Sequence, residues 1–224
     1  MPFQGHRRAV TAYFIFIPIG YLIGAIPFGL VATWLAKRVD VRNYGSGKTG
    51  MTNVMRTAGV KVGVAVILLD MGKAVLAIAL PIAFADTPGA DAGAGLAALV
   101  GHIWPVYVGF RGGRGIGPGW GGLFMFHPLA GVIATAIGIP IVLMSRYVSL
   151  GSLAGAVSGA IVIIVFATVD IVPLEYMWYG VVGAALIVYK HRDNIVRLLR
   201  GQERKLGAAA QPVPGQAEGS KQAS

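Results

Sequence analysis

The chain has 224 residues, 55% of them hydrophobic and only 12% charged, with a mean hydropathy of +0.69, which is too apolar for a soluble domain of this size. Its formal charge is +10, but the basic residues flank and separate apolar runs, which fits topogenesis and attraction to anionic lipid and excludes nucleic acid as the expected partner. The absence of cysteine excludes disulfides, thiolate metal sites and a thioester acyl-enzyme. The four histidines are too scattered for a metal cluster, and no cofactor is expected.

Taken in chain order, the apolar runs predict an all-α, polytopic membrane protein. Spans are expected near 12–36, 62–85, 92–110, 116–126, 128–144, 148–169 and 174–190, at about 1.5 Å of rise per residue against about 30 Å of hydrocarbon. The run from Ala12 to Ala36 is longer than a signal-peptide core and lacks a small-residue cleavage site, so it reads as a retained first span. From Gly117 to Met144 one long tilted helix would give five spans. His127-Pro128 favours a break, because proline removes a backbone donor, and seven is the preferred number.

On the seven-span path the segments Lys37 to Lys61, Arg111 to Arg114, Arg146 and everything after Tyr189 share one face. The opposite connections carry Asp86, Asp91, Asp170 and Glu175 and no lysine or arginine. The positive-inside rule then puts the N-terminus outside and the C-terminus in the cytoplasm, with Arg7 and Arg8 as its one violation. Gly151, Gly155 and Gly159 recur at four-residue spacing, a pattern that lets helix backbones approach closely. Residues 1–206 form a single transmembrane domain on this reading. Residues 207–224, rich in Ala, Gln, Pro, Gly and Ser, are expected to be a disordered cytoplasmic tail.

Five glycine-rich, basic runs interrupt this apolar chain and fall on the cytoplasmic face. The first, Tyr44 to Arg56, contains Gly45, Ser46, Gly47 and Gly50, which together satisfy G-x-G-x-x-G. A nucleotide-binding loop is disfavoured: the glycine required five positions before Gly47 is Arg42, and a span rather than a buried strand precedes the loop. What remains is a glycine-rich turn whose amides could converge on an oxyanion, with Thr52, Asn53 and Arg56 in the following two turns. Arginine grips phosphate bidentately.

In the second run Asp70 and Lys73, at i and i+3 within a span, are expected to pair and to serve structure. The third joins His102, also within a span, to Gly112, Gly113 and Arg114. His102 is either functional or hydrogen-bonded to a carbonyl freed by Pro105, and the glycines would let a phosphate reach their amides. In the fourth, Ser149 and Ser152 lie one turn apart at a helix start, where they cap the helix or bind a ligand oxygen. In the fifth, His191 and Asn194 share a face at the end of the last span.

These segments, in order and spacing, resemble the PlsY family, the bacterial membrane acyl-phosphate:glycerol-3-phosphate acyltransferases. The resemblance runs from about Ile19 to Gly207. It rests on Gly45-Ser-Gly with Asn53 and Arg56, Leu69-Asp70 with Lys73, Gly101-His102 with Gly112-Gly-Arg-Gly115, Val148-Ser-Leu-Gly-Ser152, and His191-Arg-Asp-Asn194 with Gly201 and Glu203. It implies transfer of an acyl group from acyl phosphate to the 1-hydroxyl of glycerol 3-phosphate in phospholipid synthesis, giving lysophosphatidic acid and inorganic phosphate. It further implies a multi-pass bacterial inner-membrane protein with its active site open to the cytoplasm.

By motif position, His191, Asn194, Ser46 and Arg56 would be catalytic, and Gly45, Gly47, Gly50, Thr52, Asn53, His102, Gly112, Gly113, Arg114, Ser149 and Ser152 would bind substrate. Asp70, Lys73 and Glu203 would be structural, and a groove between helices would take the acyl chain. Lys48 stands where the family usually has asparagine, Thr49 and Met51 where proline and alanine are common, and Arg114 where lysine is usual. No H-x-x-x-x-D is formed at His102, His127 or His191, whose fifth followers are Tyr107, Val132 and Val196, which fits a donor other than acyl-CoA. The competing readings are a paralogue with another anionic acceptor and a small organophosphate transporter; clustering at one face rather than the midplane disfavours transport.

Overall fold

The computed structural model describes residues 2–213, and the described residues are helical apart from short connections. α1 (Pro2–Gly24) and α2 (Phe28–Lys37) replace the unbroken first span, because Pro27 donates no hydrogen bond and disfavours helical geometry at Ile26. α3 (Met51–Ala58) is a short helix that follows the glycine-rich loop, and α4 (Val60–Phe84) succeeds it after Gly59. α5 spans Pro88–Ile103, not 92–110. Pro105 again sets the limit, and 104–115 becomes an irregular loop with positive φ at Gly109, Phe110 and Gly115.

α6 (Ile116–Phe126) and α7 (Pro128–Ser145) break at His127, where the backbone is extended. α8 (Val148–Thr168), α9 (Tyr176–Lys190) and α10 (Arg192–Leu199) complete the chain. Among the described residues, four stretches are long and apolar enough to cross a membrane: Ala9–Lys37, Val60–Phe84, Pro128–Ser145 and Val148–Thr168. α5, α6 and α9 have 16, 11 and 15 residues.

Small residues bring the long helices together. A Cβ on Gly20 or Gly24 of α1 would overlap the backbone at Ala94 or Ala98 of α5, and one on Gly155 of α8 would come 2.8 Å from the Ala134 carbonyl oxygen of α7. The four-residue glycine spacing is therefore used for close packing. Ile78, Leu123, Phe126, Ile163 and Tyr179 fill the core between α4, α6, α8 and α9, while Phe14, Phe84, Leu143 and Met144 lie open on the outside, as expected where the surrounding solvent is hydrocarbon.

Asp91, at the start of α5, accepts a hydrogen bond from the Tyr176 hydroxyl at 2.9 Å. That contact ties α5 to α9 at the end of the bundle opposite the basic clusters. Within the segment expected to be a tail, 207–213 is described and bonded to the glycine-rich loop: Gly45 N–H donates to the Gln211 carbonyl at 2.8 Å and Val213 N–H to that of Asn43 at 2.9 Å. The rest of that segment, 214–224, lies outside the described residues.

Candidate functional site

The glycine-rich loop is built around one side chain. Asn53, at the third position of α3, directs its Nδ2 to the carbonyls of Val41, Tyr44 and Lys48 at 3.0, 2.9 and 2.9 Å, and its Oδ1 accepts from Ser46 N–H at 3.1 Å. Gly45 and Gly47 take φ of +57° and +65°, a turn that a Cβ would strain. Arg42 clamps the loop's entry, pairing with Asp40 at 2.7 Å and donating to the Val108 carbonyl at 2.9 Å.

Two expectations change here. Asn53, expected to bind substrate, has its amide committed to the loop. The amides of Gly45, Ser46 and Gly47 are engaged as well, by Gln211, Asn53 and Tyr44, so they do not form an oxyanion cradle.

His102 sits in the last turn of α5 rather than mid-span. Lys73 Nζ lies 2.8 Å from Asp70 Oδ1 and 3.0 Å from His102 Nδ1, and donates to the Ile26 carbonyl at 2.9 Å. Lysine has only protons to give, so a neutral His102 accepts at Nδ1. The expected Asp70–Lys73 pair is present, and His102 joins it instead of a carbonyl freed by Pro105.

Gly112 and Gly113 are glycines for the same reason: a Cβ on either would overlap the His102 carbonyl or ring, and Gly113 N–H donates to that carbonyl at 3.1 Å. They therefore pack against His102, and the Gly113 N–H is already committed.

The serine and asparagine motifs meet at Glu203. Its Oε1 accepts from Ser149 Oγ at 3.0 Å and from Asn194 Nδ2 at 2.7 Å, and its Oε2 accepts from Arg197 Nε at 2.8 Å. Ser149 thus braces a carboxylate and does not cap α8, whose N-cap is Tyr147. His191 Nδ1 lies 2.8 Å from the Ile187 carbonyl, which requires the proton on Nδ1 and leaves Nε2 as acceptor. Burial, with Arg114 nearby, pushes the imidazole down to about 4. His191 is neutral near pH 7.

These elements enclose one cavity of about 480 Å³. Gly45, Ser46, Gly50, Thr52, Asn53, Arg56, Asp70, His102, Arg114, Ser149, Ser152, His191, Asn194 and Glu203 all line it, whereas Gly47, Gly112, Gly113 and Lys73 stand behind its wall. Arg56 Nε, Arg114 Nε and Asn194 Oδ1 are buried with no hydrogen-bond partner among the described residues. Buried polar groups are rarely left so, and these three line the cavity, which makes them candidate ligand contacts; Asp70 Oδ1 in the same cavity and Asp91 Oδ1 at the far end of the bundle are likewise unbonded among the described residues. Burial and neighbouring Arg197 lower Arg114 to about 10, still protonated at neutral pH. Arg56 Nη2 is steered by the carbonyls of Arg204 and Lys205 at 3.3 and 3.2 Å.

The other wall is apolar, made by Ile67, Ile116, Trp120, Ile139, Val142, Leu143 and Val148 between α4, α6, α7 and α8. Arg197, Arg204 and this wall were not singled out from sequence. Arg197 was accessible, since it lies three residues after Asn194 on α10; the wall was not, because its side chains come from four separate helices.

A polar pocket for an anion joined to a groove for a chain is the geometry of a lipid-modifying site, and the family comparison decides which. Residues 14–201 match the family described as glycerol-3-phosphate acyltransferase. This chain belongs to that family. It is 39% identical over 209 residues to glycerol-3-phosphate acyltransferase 3 of Dehalococcoides mccartyi, covering 88% of this chain and 97% of the relative. To the glycerol-3-phosphate acyltransferase of Halalkalibacterium halodurans it is 41% identical over 191 residues, covering 84% and 92%.

It also resembles the crystal structure of PlsY, an integral membrane glycerol 3-phosphate acyltransferase, in its glycerol 3-phosphate form, at 37% identity and a TM-score of 0.80, covering 88% of this chain and 96% of that one. For the lysophosphatidic acid form the values are 35% and 0.76. The acyltransferase family match ends at 201, so the strand of chain from Arg204 to Val213 that crosses the site mouth lies beyond it.

Proposed function

We propose that this membrane glycerol-3-phosphate acyltransferase takes its acyl group from acyl phosphate and delivers it to the 1-hydroxyl of glycerol 3-phosphate, releasing lysophosphatidic acid and inorganic phosphate. The observation that carries this reading is the convergence of Arg56 Nε, Arg114 Nε and Asn194 Oδ1, all buried and unpartnered among the described residues, at the polar end of a cavity whose other wall is apolar. The guanidinium groups hold phosphoryl oxygens, Asn194 Oδ1 accepts from a glycerol hydroxyl, and the apolar wall takes the chain.

An acyl phosphate is already activated, so holding its carbonyl carbon against the hydroxyl supplies most of what catalysis needs. The acceptor oxygen bonds to the acyl carbon as the bond from that carbon to the phosphate oxygen breaks. The hydroxyl proton leaves on a phosphate oxygen, either the departing phosphate's or the acceptor's own. His191, neutral and accepting at Nε2, orients the hydroxyl. Ser46, at the loop tip, adds a hydroxyl to the same pocket.

The orientation that suits this chemistry is seven spans in the bacterial inner membrane, with the N-terminus outside and the site open to the cytoplasm, where glycerol 3-phosphate is soluble. In its support, every residue assigned to the cavity's polar end lies on the basic side of the chain. The test is an assay of the purified protein in lipid with glycerol 3-phosphate and either palmitoyl phosphate or palmitoyl-CoA. Lysophosphatidate and free phosphate from palmitoyl phosphate alone are expected; product from palmitoyl-CoA alone would refute the donor assignment.

A further inference from the structure

We propose that Lys48 is a phosphoryl-binding residue of this cavity, supplying positive charge for the second of two substrate phosphates and setting affinity without taking part in acyl transfer. The proposal rests on the two-phosphate reading above and deepens it.

The charges around the cavity do not balance. Lys48, Arg56, Arg114, Arg197 and Arg204 line it, against the carboxylates Asp70, Asp193 and Glu203. Asp70 is paired with Lys73 at 2.8 Å and Glu203 with Arg197 at 2.8 Å, while Asp193 lies 3.9 Å from Arg192. Among the described residues, Lys48, Arg56, Arg114 and Arg204 therefore have no carboxylate bonded to them. A phosphate monoester carries roughly 1.5 to 2 negative charges at neutral pH, so two such groups bring about three to four. Four cations match the upper end of that load and three only its lower end.

The cations also spread in two directions from Arg114. The charges acting on Arg56 are those of Arg204, Glu203 and Arg197; on Lys48 they are those of Arg114, Asp193, Arg192 and Arg111. Arg56 therefore belongs with the charges of α10 and Arg204, while Lys48 belongs to the glycine-rich loop and has Arg114 and Arg111 for neighbours. Arg56 and Lys48 thus have different charged neighbours, and both line the same cavity as Arg114.

Among the described residues, Lys48 is held there by its backbone. Its carbonyl accepts from Asn53 Nδ2 at 2.9 Å, an interaction any residue could make, so the loop does not require the ammonium. Burial and the nearby Arg114 lower the Lys48 ammonium below the ordinary lysine range. A half-buried cation placed beside other cations is costly in the free protein and is relieved when an anion enters.

Two variants and a control test this in full-length protein in lipid vesicles: Lys48→Asn, Lys48→Arg, and Lys37→Asn, which removes an exposed charge at the end of α2. Initial rates are measured with glycerol 3-phosphate varied at fixed palmitoyl phosphate, and the reverse. The expected result is a KM for one phosphorylated substrate raised roughly tenfold or more in Lys48→Asn, with kcat within about twofold of wild type, restored by arginine and untouched by Lys37→Asn. Whichever KM moves identifies the acceptor's or the donor's phosphate as the partner.

Unchanged KM for both substrates would overturn the proposal, as would a fall in kcat accompanied by a lower melting temperature. Equilibrium binding of glycerol 3-phosphate and inorganic phosphate separates the two readings. A wild type that binds but forms no product, with binding weakened in Lys48→Asn, would remove the acyl-transfer reading and keep Lys48. Equal binding by wild type and Lys48→Asn would overturn the role of Lys48 whatever the rates.

Discussion

Two of the three carboxylates that line the cavity, Asp70 and Glu203, have buried side chains, and the contrast between them separates scaffold from site. Asp70 has a cation of its own one turn away on the same helix, and both side chains are sealed, 4% and 1% exposed. Glu203 is shared by three donors, Ser149 from α8 and Asn194 and Arg197 from α10. The first network fixes the end of α5 against α4 by an ion pair of 2.8 Å, although Asp70 Oδ1 itself makes no hydrogen bond among the described residues. The second leaves Asn194 Oδ1 open beside Arg56 Nε and Arg114 Nε, holding polar groups ready for something not part of the chain.

If that distinction is right, mutations on the two sides should fail differently. Arg114→Ala, on the open side, is expected to lower acyl transfer by about 100-fold to 1000-fold, with a melting temperature close to wild type; Arg56→Ala should act in the same direction. Asp70→Asn, on the closed side, should show its loss chiefly in the melting temperature, since stripping one partner from a buried pair costs about 3–5 kcal/mol. A normal melting temperature with abolished activity would move Asp70 into the site. Glu203→Gln keeps an acceptor for Ser149 and Asn194 but removes the charge that holds Arg197, so kcat/KM should fall about tenfold, less than for Arg114.

The smallest effect concerns His191. Its folded pKa of about 4 lies below the ordinary 6.5, so protonation favours the unfolded chain. Its contribution to stability is intact above the unfolded value and is lost as pH falls from 6.5 toward 4. Between about pH 8 and about pH 5 the wild type and His191→Asn should therefore give rate profiles of the same shape, whatever their heights. An ionisation near the ordinary histidine value, present in wild type and missing in the variant, would show the imidazole titrating as a free base.

Much of this was legible in the chain because it rests on local rules. The break at His127-Pro128, the Asp70–Lys73 pair and the close packing at Gly151 and Gly155 follow from proline chemistry, i,i+3 spacing and residue size. Proline also misled by omission: Pro27 and Pro105 end helices that hydropathy alone would continue.

The roles that spacing did not give are set by tertiary partners. Asn53 looks like a ligand contact until three loop carbonyls are found on its amide, and Gly112 and Gly113 look like a phosphate cradle until His102 is seen filling the space. Glu203 joins Asn194, nine residues before it, to Ser149, 54 residues away, and no local pattern encodes the second contact. The low polarity of 207–213 suggested nothing about its docking on the loop, because backbone hydrogen bonds leave no mark in side-chain composition.

The most direct test of the account is the binding of radiolabelled glycerol 3-phosphate to the purified wild type and to Arg114→Ala in lipid, with no acyl donor present. Saturable binding by the wild type, weakened at least about tenfold in the variant, is the predicted result. Equal affinity in the two proteins would contradict the assignment of this cavity's unpartnered cations to substrate phosphate.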